Sequence, residues 1–236
     1  MASDAKRLAV LMCNTDVSEF SARHPRDGDK FRALIALARP DWAVDVFDAT
    51  QGVFPDVAGF DGVIVTGSPA SVHDPDPWVA QLLDVIRDTV AQGVPLFGAC
   101  FGHQAVALAL GGRVERSRAW VLGHWQTRVV ARAPWMAGLP DVLVLAAAHN
   151  EQVTRLPDGA ELLTTSDDCP NGGFRIGDRV WTTQYHPEIT PEFIAALTDH
   201  LGGKLPADVI ATARATLART PDRAAMAGAL ARFFAG

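Results

Sequence analysis

The stretch that most constrains this chain runs Gly93-Val-Pro-Leu-Phe-Gly-Ala-Cys100-Phe-Gly-His-Gln104-Ala-Val-Ala-Leu-Ala-Leu110-Gly-Gly. It begins with a short apolar run of the kind that forms a buried parallel strand. It ends with an Ala/Leu-rich helical pattern stopped by Gly111-Gly112. A strand that becomes a helix within a few residues needs a sharp corner, and Cys100 falls on it. Gly98 and Gly102 let the backbone turn and pack close to its neighbours. The logic is that of a nucleophile elbow with Cys in place of Ser. A thiol there leaves the sheet at a helix N-terminus, whose positive dipole end favours the thiolate, the form that attacks carbon.

A second segment supplies what such a thiol needs. Arg179–Tyr185 reads as a strand, and Gln184-Tyr-His186-Pro-Glu188 closes it. Side chains two apart on an extended chain face the same way, so His186 and Glu188 lie side by side, with Pro187 stiffening the backbone between them. A carboxylate that orients one imidazole nitrogen leaves the other to take the thiol proton. A lone cysteine is more often a small buried residue than a nucleophile, and a lone histidine is usually unremarkable. Two such segments on strand ends of one α/β chain point to chemistry.

The rest of the chain provides the sheet. Strand patterns at Leu8–Cys13, Ala43–Phe47, Gly62–Thr66 and Pro95–Ala99 alternate with helical patterns near Gly28–Ala38, at Trp78–Gln92 and at Gly102–Leu110. This rhythm predicts a parallel sheet covered on both faces. In the second half, Gln126–Ala131, Val142–Ala146, Glu161–Ser166, Gly173–Ile176 and Arg179–Tyr185 read as short strands separated by turns, as in antiparallel pairing. The expected fold is α/β: a mixed, largely parallel central sheet with functional groups at the strand C-terminal ends. Beyond Glu188 three helices follow. One opens at Pro191 and one at Pro206, with Val209, Ile210, Ala213 and Leu217 on one face; Met226, Leu230, Phe233 and Phe234 mark the third. The expected organisation is a catalytic domain over residues 1–190 and a helical extension, 191–236, packed on it, with a homodimer contact as the alternative use of that tail.

Composition narrows the function. The net charge of −6 and the lack of a basic cluster give no footprint for nucleic acid. No apolar run approaches the roughly 20 residues that cross a bilayer, so no membrane role is expected. Met-Ala-Ser-Asp-Ala-Lys-Arg ahead of Leu8–Cys13 is too polar-flanked for a signal peptide. Three scattered cysteines fit a reducing cytoplasm without a disulfide framework. Cys13 reads as a core residue and Cys169 as an incidental loop thiol. His24, His73, His124 and His200 show no metal-ligand spacing. Phosphate-cradling and dinucleotide-binding glycine patterns are missing, so neither metal nor cofactor is expected.

Thr66-Gly67-Ser68-Pro69 ends the third strand. A turn there presents backbone N–H groups towards the thiol and, with the N–H of Phe101, would hold an oxyanion; the plain alternative is an ordinary turn. Gln104, one turn past Cys100, either bonds a substrate's polar end or caps local backbone. His103 points elsewhere and reads as structural, and His149 either reaches the cleft or is a satisfied loop histidine.

Taken together, Gly98-x-Cys100-x-Gly102-x-Gln104, Thr66-Gly-Ser-Pro69 and His186-Pro-Glu188 resemble the motifs of class I (triad) glutamine amidotransferases. The likeness runs through Leu110-Gly-Gly-Arg-Val-Glu and His149-Asn-Glu-Gln-Val-Thr-Arg-Leu-Pro. It covers about residues 60–190 in the manner of a GMP synthase glutaminase domain, and Val65-Thr-Gly-Ser-Pro, His73 and Trp78 look closer to stand-alone γ-glutamyl peptidases. The resemblance implies a flavodoxin-like sheet, Cys100 as nucleophile, His186 as base then acid, and Glu188 as its orienting carboxylate. It implies an oxyanion hole from the N–H groups of Ser68 and Phe101, although many relatives have glycine where Ser68 stands. It also implies substrate contacts at Gln104, Gly67 and Gly123-His124-Trp125. The expected reaction is cleavage of a small-molecule γ-glutamyl amide. The sequence holds no recognisable acceptor domain, which favours an independent hydrolase; a glutaminase subunit serving a separate synthetase is the alternative. An idle regulatory module would have no need for the intact Cys100, His186 and Glu188.

Overall fold

The computed structural model describes residues 5–236. Residues 1–4, part of the stretch read as lacking a signal peptide, lie outside the described residues. The first half runs β1 (Arg7–Met12), a short α1 (Glu19–Ala22), α2 (Asp27–Ala36), β2 (Ala43–Asp48), β3 (Gly62–Val65), α3 (Pro77–Ala91), β4 (Leu96–Ala99) and α4 (Phe101–Ala109). The second runs β5 (Arg113–Val129), β6 (Val142–Arg155), β7 (Ala160–Thr165), β8 (Gly173–Ile176) and β9 (Val180–Thr183), then α5 (Pro191–His200), α6 (Ala207–Thr216) and α7 (Arg223–Ala235).

The strands form one sheet in the order β2-β1-β3-β4-β9-β8-β7-β5-β6. From β2 to β9 the pairing is parallel; from β9 to β6 it is antiparallel. Every residue of β3 and β4 is buried. That pattern follows from covering both faces of a parallel sheet, which replaces alternation with continuous apolar runs. Leu8, Val10, Ile64, Phe97 and Trp181 face one side, against Phe31 and Leu34 of α2 and Leu230, Phe233 and Phe234 of α7. Ala9, Leu11, Val63, Val65 and Leu96 face the other, against Trp78, Leu82 and Ile86 of α3 and Phe101 and Ala105 of α4. Leu122 and Ala146 of the antiparallel region are covered by Ile194 of α5 and Ile210 and Ala213 of α6.

Helix α7 is part of the main core. A Cβ on Gly62 would stand 2.3 Å from Phe234 Cδ1, so the ring fills the space that glycine leaves beside the sheet. Among the described residues no helix is long and apolar enough to cross a membrane.

Two sequence expectations need correction. The short strands expected at Gln126–Ala131 and Val142–Ala146 belong to much longer ones, of 17 and 14 residues, paired from Arg113↔Arg155 to Arg128↔Val142. Arg113, Glu115 and Arg116 are exposed on the outer part of β5 and carry no apolar pattern, and the ladder is interrupted between Arg116 and Val121. Cys169 lies in a turn, but it is buried. Burial and then the neighbouring Cys100 push its pKa up to about 12, so it is an inert interior thiol.

Candidate active site

The parallel register places three strand ends side by side. Val65 pairs with Gly98 and Ala99 with Thr183, so the residues after β3, β4 and β9 emerge at one edge of the sheet. This is where open α/β sheets carry their sites.

Cys100 is the N-cap of α4, with φ 51° and ψ −105°. Among the described residues it is the one non-glycine residue with positive φ. An L-residue held there is strained by roughly 1–3 kcal/mol, and such strain persists only where surrounding contacts over-determine it. Those contacts are visible. The Cys100 N–H donates to Thr183 O at 2.9 Å, and the Cys100 carbonyl accepts from the Gln104 N–H at 3.0 Å. Gly102 lets α4 lie against β3, since a Cβ there would meet Val65 O at 2.3 Å. A Cβ on Gly98 would meet Gly102 C and O at 2.7 Å. The two glycines read as corner residues make the corner possible by close backbone approach.

His186 and Glu188 follow β9. The His186 N–H donates to Ala146 O of β6 at 2.8 Å, which fixes the backbone. His186 Nδ1 lies 2.6 Å from Glu188 Oε1, with both side chains buried. A carboxylate accepts at Nδ1–H and leaves Nε2 for the thiol. Burial alone would push the imidazole pKa down; the charges of Cys100 and Glu188 and hydrogen bonds to both outweigh it and hold it well above the ordinary histidine value. The surrounding charges therefore favour the imidazolium form of His186. Glu188 Oε2 is buried with no hydrogen bond among the described residues. Arg223, at the start of α7, donates to Pro187 O and Glu188 O, both at 3.3 Å, and so braces this segment from outside.

Gly67 forms the wall beside the pair. A Cβ there would stand 2.6 Å from His186 Cε1 and 3.7 Å from Cys100 Cβ. Glycine at this strand end makes room for the ring. The Ser68 hydroxyl accepts the Ala70 N–H at 3.1 Å. Among the described residues the N–H groups of Ser68 and Phe101 donate to no acceptor. Phe101 is the first residue of α4, so its N–H belongs to the unsatisfied set at a helix start.

The expected substrate contacts separate. Gln104 is buried beside the thiol, and its Nε2 donates to Glu151 O at 2.7 Å and to Gln184 Oε1 at 3.3 Å. Trp125 lines a cavity of about 470 Å³ with Trp120, Gln152, Asp167, Asp168 and Asp208, and its Nε1 donates to Asp168 at 3.2 Å. His124 is engaged elsewhere. Its side chain is buried, its N–H donates to Thr216 Oγ1 at 3.1 Å, and its carbonyl accepts from Arg219 at 3.0 Å. Neither backbone group is left to line a pocket, because α6 and the turn after it have taken both.

His103 is buried against Thr182 Oγ1 at 2.8 Å, a structural position as the sequence suggested. His149 lies in β6 near His186, and burial and then that neighbour lower its pKa to about 3, so it stays neutral. Sequence reasoning missed Gln184, whose Nε2 donates to Cys100 Sγ at 3.6 Å. Its signal was its place two residues before His186, which puts both side chains on the same side of an extended chain.

A family model described as "Glutamine amidotransferase class-I" matches residues 36–194. Among curated relatives, γ-glutamyl peptidase 3 of Arabidopsis thaliana is 28% identical over 209 residues, covering 83% of this chain and 82% of the relative. The glutamine-hydrolysing GMP synthase of Porphyromonas gingivalis is 33% identical over 138 residues, 57% of this chain. The match spans only 26% of that synthase's length. Among solved structures, a glutamine amidotransferase from Thermotoga maritima shares the fold at a TM-score of 0.75 and 22% identity, with 97% of each chain covered.

Proposed function

The chain belongs to the class-I glutamine amidotransferase family, and from that premise we propose that it hydrolyses a γ-glutamyl amide through a γ-glutamyl thioester on Cys100. The observation that carries the reading is the buried His186–Glu188 pair at 2.6 Å, set against a thiol at the N-terminus of α4. The thiolate attacks the γ-carbonyl carbon. The resulting oxyanion accepts the free N–H groups of Ser68 and Phe101. His186 gives its Nε2 proton to the leaving nitrogen as the C–N bond breaks, and the thioester forms. Water, deprotonated by the now neutral His186, attacks the thioester and releases glutamate and the thiol. Glu188 keeps the ring in the tautomer that both steps require.

The likeness to the peptidase, which extends over most of both chains, favours an enzyme that acts alone on γ-glutamyl peptides or amides. The 33% identity to GMP synthase favours a second reading, a glutaminase that supplies ammonia to a synthetase partner. Three free, buried cysteines fit a reducing cytoplasmic setting for either. The test is an assay of the purified chain with glutamine, glutathione and γ-glutamyl amides, with mass spectrometry for the acyl-enzyme. Turnover that falls at least about 10³-fold in Cys100→Ala, with the fold retained, is the expected result. Unchanged turnover in that variant sinks the proposal. Robust activity of the chain alone supports the hydrolase; silence relieved only by a synthetase supports the subunit.

A further inference from the structure

We infer that Gln184 is a catalytic residue whose carboxamide N–H stabilises the Cys100 thiolate, and that Gln104 is a positioning residue that holds this carboxamide in its donating orientation. The inference rests on Cys100 being the nucleophile.

Three hydrogen bonds in series carry it. Gln104 Nε2 donates to Glu151 O at 2.7 Å and to Gln184 Oε1 at 3.3 Å, and Gln184 Nε2 reaches Cys100 Sγ at 3.6 Å. The series has a direction. A backbone carbonyl only accepts, so the Gln104 group facing Glu151 must be the amino group. That amino group then demands an oxygen from Gln184, which turns the Gln184 amino group towards sulfur. Rotating the Gln184 amide by half a turn would set nitrogen against nitrogen at one end and oxygen against a thiolate at the other. Both side chains are buried, and the Gln184 backbone N–H is pinned to Gly172 O at 2.8 Å. A donor held in place inside a water-poor site stabilises charge without reorganising.

This reassigns the Gln104 amino group from substrate to enzyme, leaving its Oε1 as the atom free for a ligand. It also explains why two glutamines lie beside a cysteine with no charge of their own: a neutral donor favours the thiolate without competing with His186 for the proton. The other groups facing the thiol are His186, backed by Glu188, and Cys169, with His149 acting on His186 from β6.

The experiment is the pH profile of iodoacetamide alkylation at Cys100, followed by peptide mass spectrometry on the full chain, beside steady-state kinetics. In Gln184→Leu the midpoint should move up by about one pH unit. The turnover number should fall about tenfold, with KM changed less than about twofold. Gln184→Glu, close to isosteric, should move the midpoint further in the same direction. Gln104→Leu should move it the same way by less. An unmoved midpoint in folded Gln184→Leu or Gln184→Glu overturns the inference. So does a Gln104→Leu that raises KM alone, because Gln104 would then serve only the substrate. Wild-type Cys100 reacting no faster than buried Cys13 and Cys169 is a different failure, which removes the nucleophile assignment itself.

Discussion

The parallel and antiparallel halves of the sheet meet at β9 and are built on different terms. In the parallel half, β3, β4 and β9 are short, buried on both faces and sealed by helices, and they end together at the candidate site. From β8 to β6 the strands lengthen, bear exposed charges on their outer parts, and carry the Trp120–Trp125 cavity. The difference teaches where tolerance lies. The parallel half fixes Cys100 by backbone-to-backbone contact, where nothing can yield. The antiparallel half meets the site through side chains and isolated backbone contacts, Ala146 with His186 and Gly172 with Gln184.

Glycine substitutions give the largest effects that separate the halves. Gly102→Ala drives a Cβ to 2.3 Å from Val65 O, a contact between backbones, and should cost about 3 kcal/mol. Urea unfolding should show this, together with lost Cys100 alkylation. Gly123→Ala would sit at φ +108°, 2.2 Å from Thr216 Oγ1 and 3.0 Å from the Ala213 backbone. The hydroxyl can swing away, and the backbone contact is looser than the one at Gly102. A cost of about 2 kcal/mol is expected, with α6 loosened and alkylation retained. Equal loss of alkylation in both variants would break the contrast.

Acid should act on both halves through their neutral histidines. His103 in α4 and His149 in β6 have pKa values lowered by burial to about 3. The unfolded chain takes up their protons below about pH 6.5 and the folded chain does not. Stability is therefore full above that pH and falls as pH drops towards 3, by about 1 kcal/mol per unit for each. His186 runs the other way. Its raised pKa adds stability below about pH 6.5 that is lost as pH climbs through the folded value. Denaturation midpoints at pH 7, 6 and 5 should decline, and His149→Gln should flatten the slope. An unaltered slope in that variant would falsify the assignment of acid sensitivity to it.

The smallest effects belong to the rims. Breaking the exposed Arg7–Asp45 pair on the parallel side or Arg128–Asp167 on the other should each move stability by less than about 0.5 kcal/mol. A larger change at one pair alone would show that its rim is stiffer than its exposure suggests.

Legibility followed the same division. The parallel strands are apolar without interruption, so Pro95–Ala99 and its corner could be read directly, and Cys100 with them. His186 and Glu188 were legible because a spacing of two on a strand is a geometric statement. Outer β5 was not, since Arg113-Val-Glu-Arg buries one residue in four and its strand character comes from pairing with β6. The engagement of His124 by Thr216 and Arg219 was equally hidden, because it depends on how the helical tail returns to the sheet. The Gln104–Gln184 contact joins residues 80 apart in sequence, and only the insertion of β9 beside β4 brings them together.

That insertion also orders events in time. β3 precedes β4 in the chain, whereas β9, which fills the opposite edge of β4, comes from much later sequence along with Gln184, His186 and Glu188. A ribosome therefore delivers the thiol well before the residues proposed to activate it. Until β9 slides between β4 and β8, the nascent chain carries an ordinary cysteine among the crowd of other proteins. On the proposed mechanism Cys100 gains its activating partners only after β9 and Glu188 have been made, so the order of translation would act as a safety catch.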